Sequence, residues 1–203
     1  MINVEKSDNG LWVVTLDRTD KANALTSVML SELIAIMQDA HAARGLILTG
    51  RGKVFSAGAD LEEAAKGLAV SPLWEELSAA VAALPCLSIA ALNGTLAGGA
   101  NGMALACDLR IAVPTAKFFY PVMKLGYMPQ PSDVVRMKNL IGSSRAKMIL
   151  AAGQKVLAEE ALSWGLIDRI VAPDALLDTA SELLQDSLAA DPEIAKGIIQ
   201  SCR

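Results

Sequence analysis

Main-chain amides, more than side chains, are the first candidates for chemistry in this chain. Asn93 to Asp108 reads N-G-T-L-A-G-G-A-N-G-M-A-L-A-C-D. An apolar run, Cys86 to Leu92, ends in Asn-Gly, crosses tiny residues at Gly98 and Gly99, and opens into the helix-like segment Ala100 to Cys107. Glycine suits a backbone that comes close to another group or takes positive φ. A helix start presents N–H groups that lack intrahelical partners and carry partial positive charge. Two readings stay open on these residues alone: a close helix crossing, or an anion or carbonyl site built from amides. A second turn, G-R-G-K-V-F-S-A-G-A-D-L-E-E from Gly50 to Glu63, repeats the theme at Ala57, Gly58 and Ala59. Its Asp60 and Glu63 have the spacing of a capping box for the helix that follows.

Side chains able to move a proton are sparse. Asp133 lies ahead of a helical stretch, where an N-cap is the ordinary role for an aspartate. Tyr120 and Tyr127 flank a proline-rich loop, and a phenol either donates a hydrogen bond or packs with its hydroxyl at a rim. Glu62 follows the first turn, and Glu63 is accounted for as a cap partner. His41, the sole histidine, falls at a helix end and reads as a surface residue. Gly50-Arg-Gly-Lys53 lacks the spacing and the hydroxyl residue of a phosphate-binding loop. Gly94 to Gly102 fails the dinucleotide fingerprint. No His/Cys/Asp cluster has metal-ligand spacing, so no metal and no resident cofactor are expected.

These groups must be positioned by a substantial core. A chain of 203 residues buries roughly 70% of its unfolded surface on folding. Hydrophobic residues make up 53% of it and charged residues 20%, a balance that points to an oligomer. The net charge of -4 and the absence of a Lys/Arg run give no footprint for nucleic acid. Cys86, Cys107 and Cys202 form no CxxC pair and are odd in number, which suits reduced thiols and a cytoplasmic location. The N-terminus lacks the layout of a signal peptide. The most apolar stretch, Ala79 to Leu92, is interrupted by Pro85 and is short of the roughly 20 residues a membrane helix needs.

Leu11 to Asp17 reads as a strand entered through Asn9-Gly10. Leu25, Met29, Leu33, Ile36, Met37 and Ala40 recur at helical spacing behind a Thr26 or Ser27 cap. Gly45 to Thr49 is a buried strand, Lys66 to Ser71 a flexible connector, and Trp74 to Leu84 a helix ended by Pro85. Beyond the central turn come a strand at Leu109 to Val113, an extended piece at Lys117 to Tyr120, and a loop kept irregular by Pro121, Pro129 and Pro131. A helix capped by Ser132 or Asp133 follows, then a restart at Gly142, a helix from Ala158 to Trp164 closed by Gly165, a short strand from Ile167 to Val171, and a long helix from Pro173 to Ala189. The order predicts an α/β core over residues 1–142 and a helical C-terminal region over residues 143–203.

Several motifs in this order resemble the crotonase family, the enoyl-CoA hydratase/isomerase superfamily. They are Leu16-Asp-Arg-Thr-Asp-Lys-Ala-Asn-Ala-Leu25, Leu46-Ile-Leu-Thr-Gly50 leading to Phe55-Ser-Ala-Gly-Ala-Asp-Leu61, Ile89-Ala-Ala-Leu-Asn-Gly94 leading to Ala97-Gly-Gly99, Cys107-Asp-Leu-Arg-Ile111, and Ala158 to Val171. The resemblance implies a spiral of ββα units, an acyl-CoA thioester as substrate with coenzyme A as part of it, and a homotrimer or dimer of trimers. It implies an oxyanion hole formed by the main-chain amides of Ala59 and Gly99. It brings Ala22, Ala57, Gly58, Asp60, Leu61, Gly98, Val122 and Gln130 to the substrate, with Lys21 and Arg18 in the loop toward the nucleotide end of CoA.

Two departures stand out. The glutamates that act on water in hydratases of the family correspond here to Gly102 and Val122, so an acid or base has to come from elsewhere, with Asp133 and Tyr120 as candidates. Family members also continue past the helix near Ile194 to Gln200, whereas this chain stops at Arg203. A neighbouring subunit's cover, a more open acyl pocket and a truncated product all fit that observation.

Overall fold

The computed structural model describes residues 1–202. Runs of aliphatic and β-branched residues bounded by Gly, Asn and Pro form the strands, and amphipathic stretches between them form the helices. In order they are β1 (Ile2–Lys6), β2 (Leu11–Leu16), α1 (Ser27–Asp39), β3 (Gly45–Gly50), β4 (Val54–Ser56), α2 (Leu61–Ala64), α3 (Leu73–Ala82), β5 (Leu87–Leu92), β6 (Thr95–Ala97), α4 (Asn101–Ala106), β7 (Leu109–Ala112) and β8 (Lys117–Phe119). Then follow α5 (Val122–Leu125), α6 (Pro131–Leu150), β9 (Val156–Leu157), α7 (Ala158–Trp164), β10 (Arg169–Ile170), α8 (Leu176–Ala189) and α9 (Pro192–Ser201).

Two sheets result. The larger has the order β1-β2-β3-β5-β7-β10, parallel except for β1, and the smaller has the order β4-β6-β8-β9, parallel except for β9. The chain lays one strand in the large sheet, the next in the small one, and returns through a helix. It does so through β3-β4 and β5-β6, and a third time through β7-β8, where the return to the large sheet comes after β9 and α7, the expected spiral of ββα units. All of β3 and nearly all of β5 are buried, as parallel strands covered on both faces should be; α8 packs against β3, β5 and β7. Buried Arg110 on β7 joins two distant stretches. Its guanidinium donates to the Leu166 and Cys107 carbonyls at 3.0 and 2.7 Å, while its amide donates to Asp168 at 2.7 Å.

Thr26 caps α1 by accepting the Met29 amide at 3.2 Å, and Gly165 closes α7 in the left-handed conformation. Other expectations change. The N-terminal residues form β1, where Ile2 and Val4 alternate with polar Asn3 and Glu5 and pack against the core while the strand pairs with β2. Lys66 to Ser71 is no loose connector: it holds a 3-10 turn, Leu68–Val70, with Leu68 buried. The proline-rich loop admits the short helix α5, and Pro131 starts α6 at a position where its missing N–H costs nothing. The α6 helix is kinked at Gly142, φ 78°. After Gly142 the chain is not only helical, since β9 and β10 add an outer strand to each sheet.

Candidate active site

Strands β4, β6 and β8 lie side by side and parallel, so the turns leaving them meet at one end of the small sheet. Ligands gather beyond the carboxyl ends of parallel strands for this reason. A cavity of about 210 Å³ lies there. Its wall includes Ala57, Ala59 and Leu61 after β4, Gly98 and Gly99 after β6, and Tyr120 and Val122 after β8, with Trp74 and Gln130.

The two small-residue turns are in direct backbone contact. Gly58 takes φ +91°, and a Cβ there would stand 2.8 Å from the Ala97 carbonyl oxygen and 3.2 Å from Gly98 Cα. Gly98 takes φ +58°. Only glycine satisfies both demands. The first turn is fixed from behind by Ala22 and buried Asn23. The Ala57 amide donates to the Ala22 carbonyl at 3.0 Å, and Ser56 Oγ donates to the Asn23 carbonyl at 2.8 Å while accepting the Gly58 amide at 3.1 Å. Leu25 then bridges the turn, donating to the Gly58 carbonyl and accepting the Asp60 amide, both at 2.8 Å. That pairing passes over the N–H of Ala59. Gly99 lies in the 3-10 turn Gly98–Ala100 that opens α4, where a first-turn amide has no intrahelical acceptor. A Cβ at Gly99 would stand 2.9 Å from the Trp74 ring. Close packing and an amide without an intrahelical acceptor therefore both apply at this residue.

Asp60 caps α2, accepting the Glu62 and Glu63 amides at 3.0 and 3.4 Å, and its other oxygen takes Arg18 Nη1 at 2.7 Å. The Arg18 guanidinium holds the Asp60 carboxyl below its ordinary value. The capping box is incomplete, because the Glu63 carboxylate instead accepts the Ser27 amide at 2.7 Å. Lys21 and Ala22 stand behind the first turn, away from the cavity wall, and Lys21 is exposed. His41 is exposed.

Asp133 is not the N-cap expected of it. Gln130 holds that place without a side-chain bond, because Pro131 begins the helix earlier than Ser132 or Asp133 would. Asp133 is 1% exposed. Its Oδ2 accepts the Tyr120 hydroxyl at 3.1 Å, and its Oδ1 has no hydrogen-bond partner among the described residues. Tyr120 is likewise buried, not at the rim. Burial, with Glu75 adding to it, pushes the Asp133 carboxyl up to about 7, against the opposing Tyr120 bond and Arg136 charge. Burial beside Asp133 also raises the Tyr120 phenol, which stays protonated.

Gly102 explains the room Asp133 has. A Cβ at Gly102 would stand 2.7 Å from Asp133 Oδ1. The start of α6 is fixed to α3 by Glu75, which accepts the Ser132 amide at 2.8 Å and the Ser132 hydroxyl at 2.5 Å, and by Arg136, which donates to Ser78 and Ser132. Sequence reading missed Glu75, since nothing in its local pattern distinguishes it from any solvated helix glutamate. It also missed Ala64, Ala69, Ala97, Pro121 and Leu125 on the cavity wall. Trp74, Phe119 and Met128 give the cavity apolar walls, whereas Phe118 is in the core and Met123 is exposed.

Among the described residues no group of three His, Cys, Asp or Glu side chains is placed to hold a metal ion, and no helix is long and apolar enough to cross a membrane.

The family model for enoyl-CoA hydratase/isomerase matches residues 6–202. The chain is 37% identical over 187 residues to a carnitinyl-CoA dehydratase of Citrobacter koseri, covering 88% of this chain and 71% of that one. It is 27% identical over 212 residues to an ethylmalonyl-CoA decarboxylase of Pongo abelii, covering 98% and 70%. Among solved structures, an enoyl-CoA hydratase from Bacillus anthracis superposes with a TM-score of 0.91 at 30% identity, covering 99% of this chain and 81% of that one.

Proposed function

The chain belongs to the enoyl-CoA hydratase/isomerase family, whose members act on acyl-CoA, and we propose that it holds a thioester carbonyl oxygen between the amides of Ala59 and Gly99. The observation that carries this reading is that both residues line one cavity at the ends of adjacent strands. A thioester oxygen gains negative charge when the neighbouring carbon loses a proton, carbon dioxide or an acyl fragment, and preorganised donors stabilise that charge. The start of α4 adds a dipole of the favourable sign at Gly99. Ala57, Gly58, Leu61, Gly98, Val122 and Gln130 bound the acyl end, and Lys21, Ala22 and Asp60 belong to the side where the nucleotide end of CoA leaves. Coenzyme A enters as part of the substrate. Assembly as a homotrimer or dimer of trimers in the cytoplasm belongs to the same reading, and the exposed Ile194 and Ile198 of α9 support the assembly.

Gly102 and Val122 favour a second reading of the reaction. Neither transfers a proton, and an oxyanion hole alone supports decarboxylation or carbon–carbon cleavage. A silent CoA-ester binder is the limiting form of that view.

Acetoacetyl-CoA tests the oxyanion hole, because its enolate absorbs in the near ultraviolet. Wild-type protein should raise the enolate band on binding. Ala59→Pro removes one donor and should lower the bound enolate fraction about a hundredfold or more, the usual effect of losing one such donor. Binding of acetoacetyl-CoA with no enolate band in the wild type would overturn the reading.

A further inference from the structure

Resting on the thioester reading above, we propose that Tyr120 is the catalytic proton-transfer residue of this cavity and that Asp133, seated in the space left open by Gly102, is the positioning residue that holds its proton. The two occupy a corner that no single stretch of sequence encodes. Tyr120 leaves β8 and lines the cavity; Asp133 comes from the first turn of α6; Gly102 belongs to α4, one helical turn beyond Gly99. The contact between Gly102 and Asp133 Oδ1 is exclusive. A side chain at position 102 would displace the carboxylate from its present seat, since the first side-chain carbon alone would stand 2.7 Å from Oδ1. The absence of a side chain on α4 at position 102 is therefore what gives the α6 carboxylate its seat.

A buried carboxyl oxygen without a partner is costly to keep, and native proteins rarely keep one without a use. Here the other oxygen is bonded to a phenol that reaches the cavity wall. The charged groups acting on Asp133 are Glu75 from α3 and Arg136 from α6 itself; α4 contributes only Gly102 at this contact. Glu75 and Arg136 are both committed to Ser132. That leaves Tyr120 as the group through which Asp133 communicates with the cavity.

The step balances. The α-carbon proton passes to Tyr120 Oη while the phenol's own proton passes to Asp133 Oδ2. The electron pair of the broken C–H bond moves into the carbon–carbon bond, and the thioester π pair moves onto the oxygen facing Ala59 and Gly99. Asp133 ends neutral, Tyr120 ends as a phenol, and the enolate carries the charge. Reversal returns a proton to carbon. The phenol need never exist as a free phenolate, in keeping with its raised value.

Butyryl-CoA in deuterium oxide tests this, with mass spectrometry following α-hydrogen exchange and calorimetry following binding. Wild-type exchange should rise from pH 5 to pH 8 and level off, because the carboxylate form of Asp133 takes over near pH 7. Tyr120→Phe and Asp133→Asn should bind butyryl-CoA yet exchange about a hundredfold slower or less, within the usual range for general acid–base loss, and the rise with pH should vanish. Gly102→Ala, which keeps both residues but pushes the Asp133 carboxylate out of its seat, should also slow exchange while binding persists. Binding by wild type without exchange, or variants that exchange at the wild-type rate with the wild-type pH profile, overturns the pair and leaves the thioester reading intact. Failure of wild type to bind butyryl-, acetyl- or hexanoyl-CoA overturns both.

Discussion

The two glycine turns and the Tyr120–Asp133 corner face the same cavity but are built by different means. In the turns the groups proposed to act are amides, and the turns are held by backbone packing: Gly58 against Ala97 and Gly98, and Gly99 against Trp74. In the corner the groups are side chains from β8 and α6, and their direction is set by one hydrogen bond, a serine–glutamate clamp and a missing side chain at position 102. The first arrangement tolerates almost no change of residue size. The second is sensitive to size only at position 102 and otherwise to charge. A site that keeps one and varies the other can hold the oxygen of its substrate constant while changing how protons move.

Gly58→Val attacks the first arrangement most severely. A β-branched residue at φ +91°, with its Cβ 2.8 Å from the Ala97 carbonyl oxygen, combines backbone strain with overpacking, and should lower unfolding free energy by about 4 kcal/mol. Denaturant titration measures it, and a variant as stable as wild type would show that the turns are not in contact. The charge of the second arrangement appears in stability against pH. Burial raises the folded value of Asp133 above its unfolded value. The native state therefore holds a proton that the unfolded state has released, and stability falls as pH rises from the unfolded value, near 4, through about 7. From pH 5 to pH 8 the wild type should lose roughly 3 kcal/mol from this group. Asp133→Asn should lack that loss; parallel slopes for the two proteins would count against a proton bound at Asp133. The clamp is worth least: Glu75→Ala removes the acceptor for the Ser132 amide and hydroxyl at the start of α6, and should cost about 1 to 2 kcal/mol by thermal melting.

The same contrast sets what could be read in advance. The turns were legible because their requirements are local: small residues between a strand and a helix, repeated twice, each with a helix start behind it. The strands and most helix ends followed from period and punctuation, and Asp60 was visible as a cap. The corner was not legible. Pro131 moves the start of α6 back by a turn's fraction and converts Asp133 from an exposed cap into a buried carboxyl, and only the packing of α6 on α3 and α4 shows which way it faces. Glu75 resembles any helix-surface acid until Ser132 is placed opposite it. The strand at positions 2–6 was legible in the alternation of Ile2 and Val4 with Asn3 and Glu5, but so short a pattern is outweighed by the charged residues around it.

The outer strands β9 and β10 have a bearing on synthesis. Both sheets wait on residues 156–170 for their last strand. Until that stretch leaves the ribosome, the nascent polypeptide carries two unfinished edges, β7 in one sheet and β8 in the other, each offering bare amides and carbonyls to any neighbouring chain. Completion of the final quarter replaces these edges with strands of two residues each, too short to template another chain well.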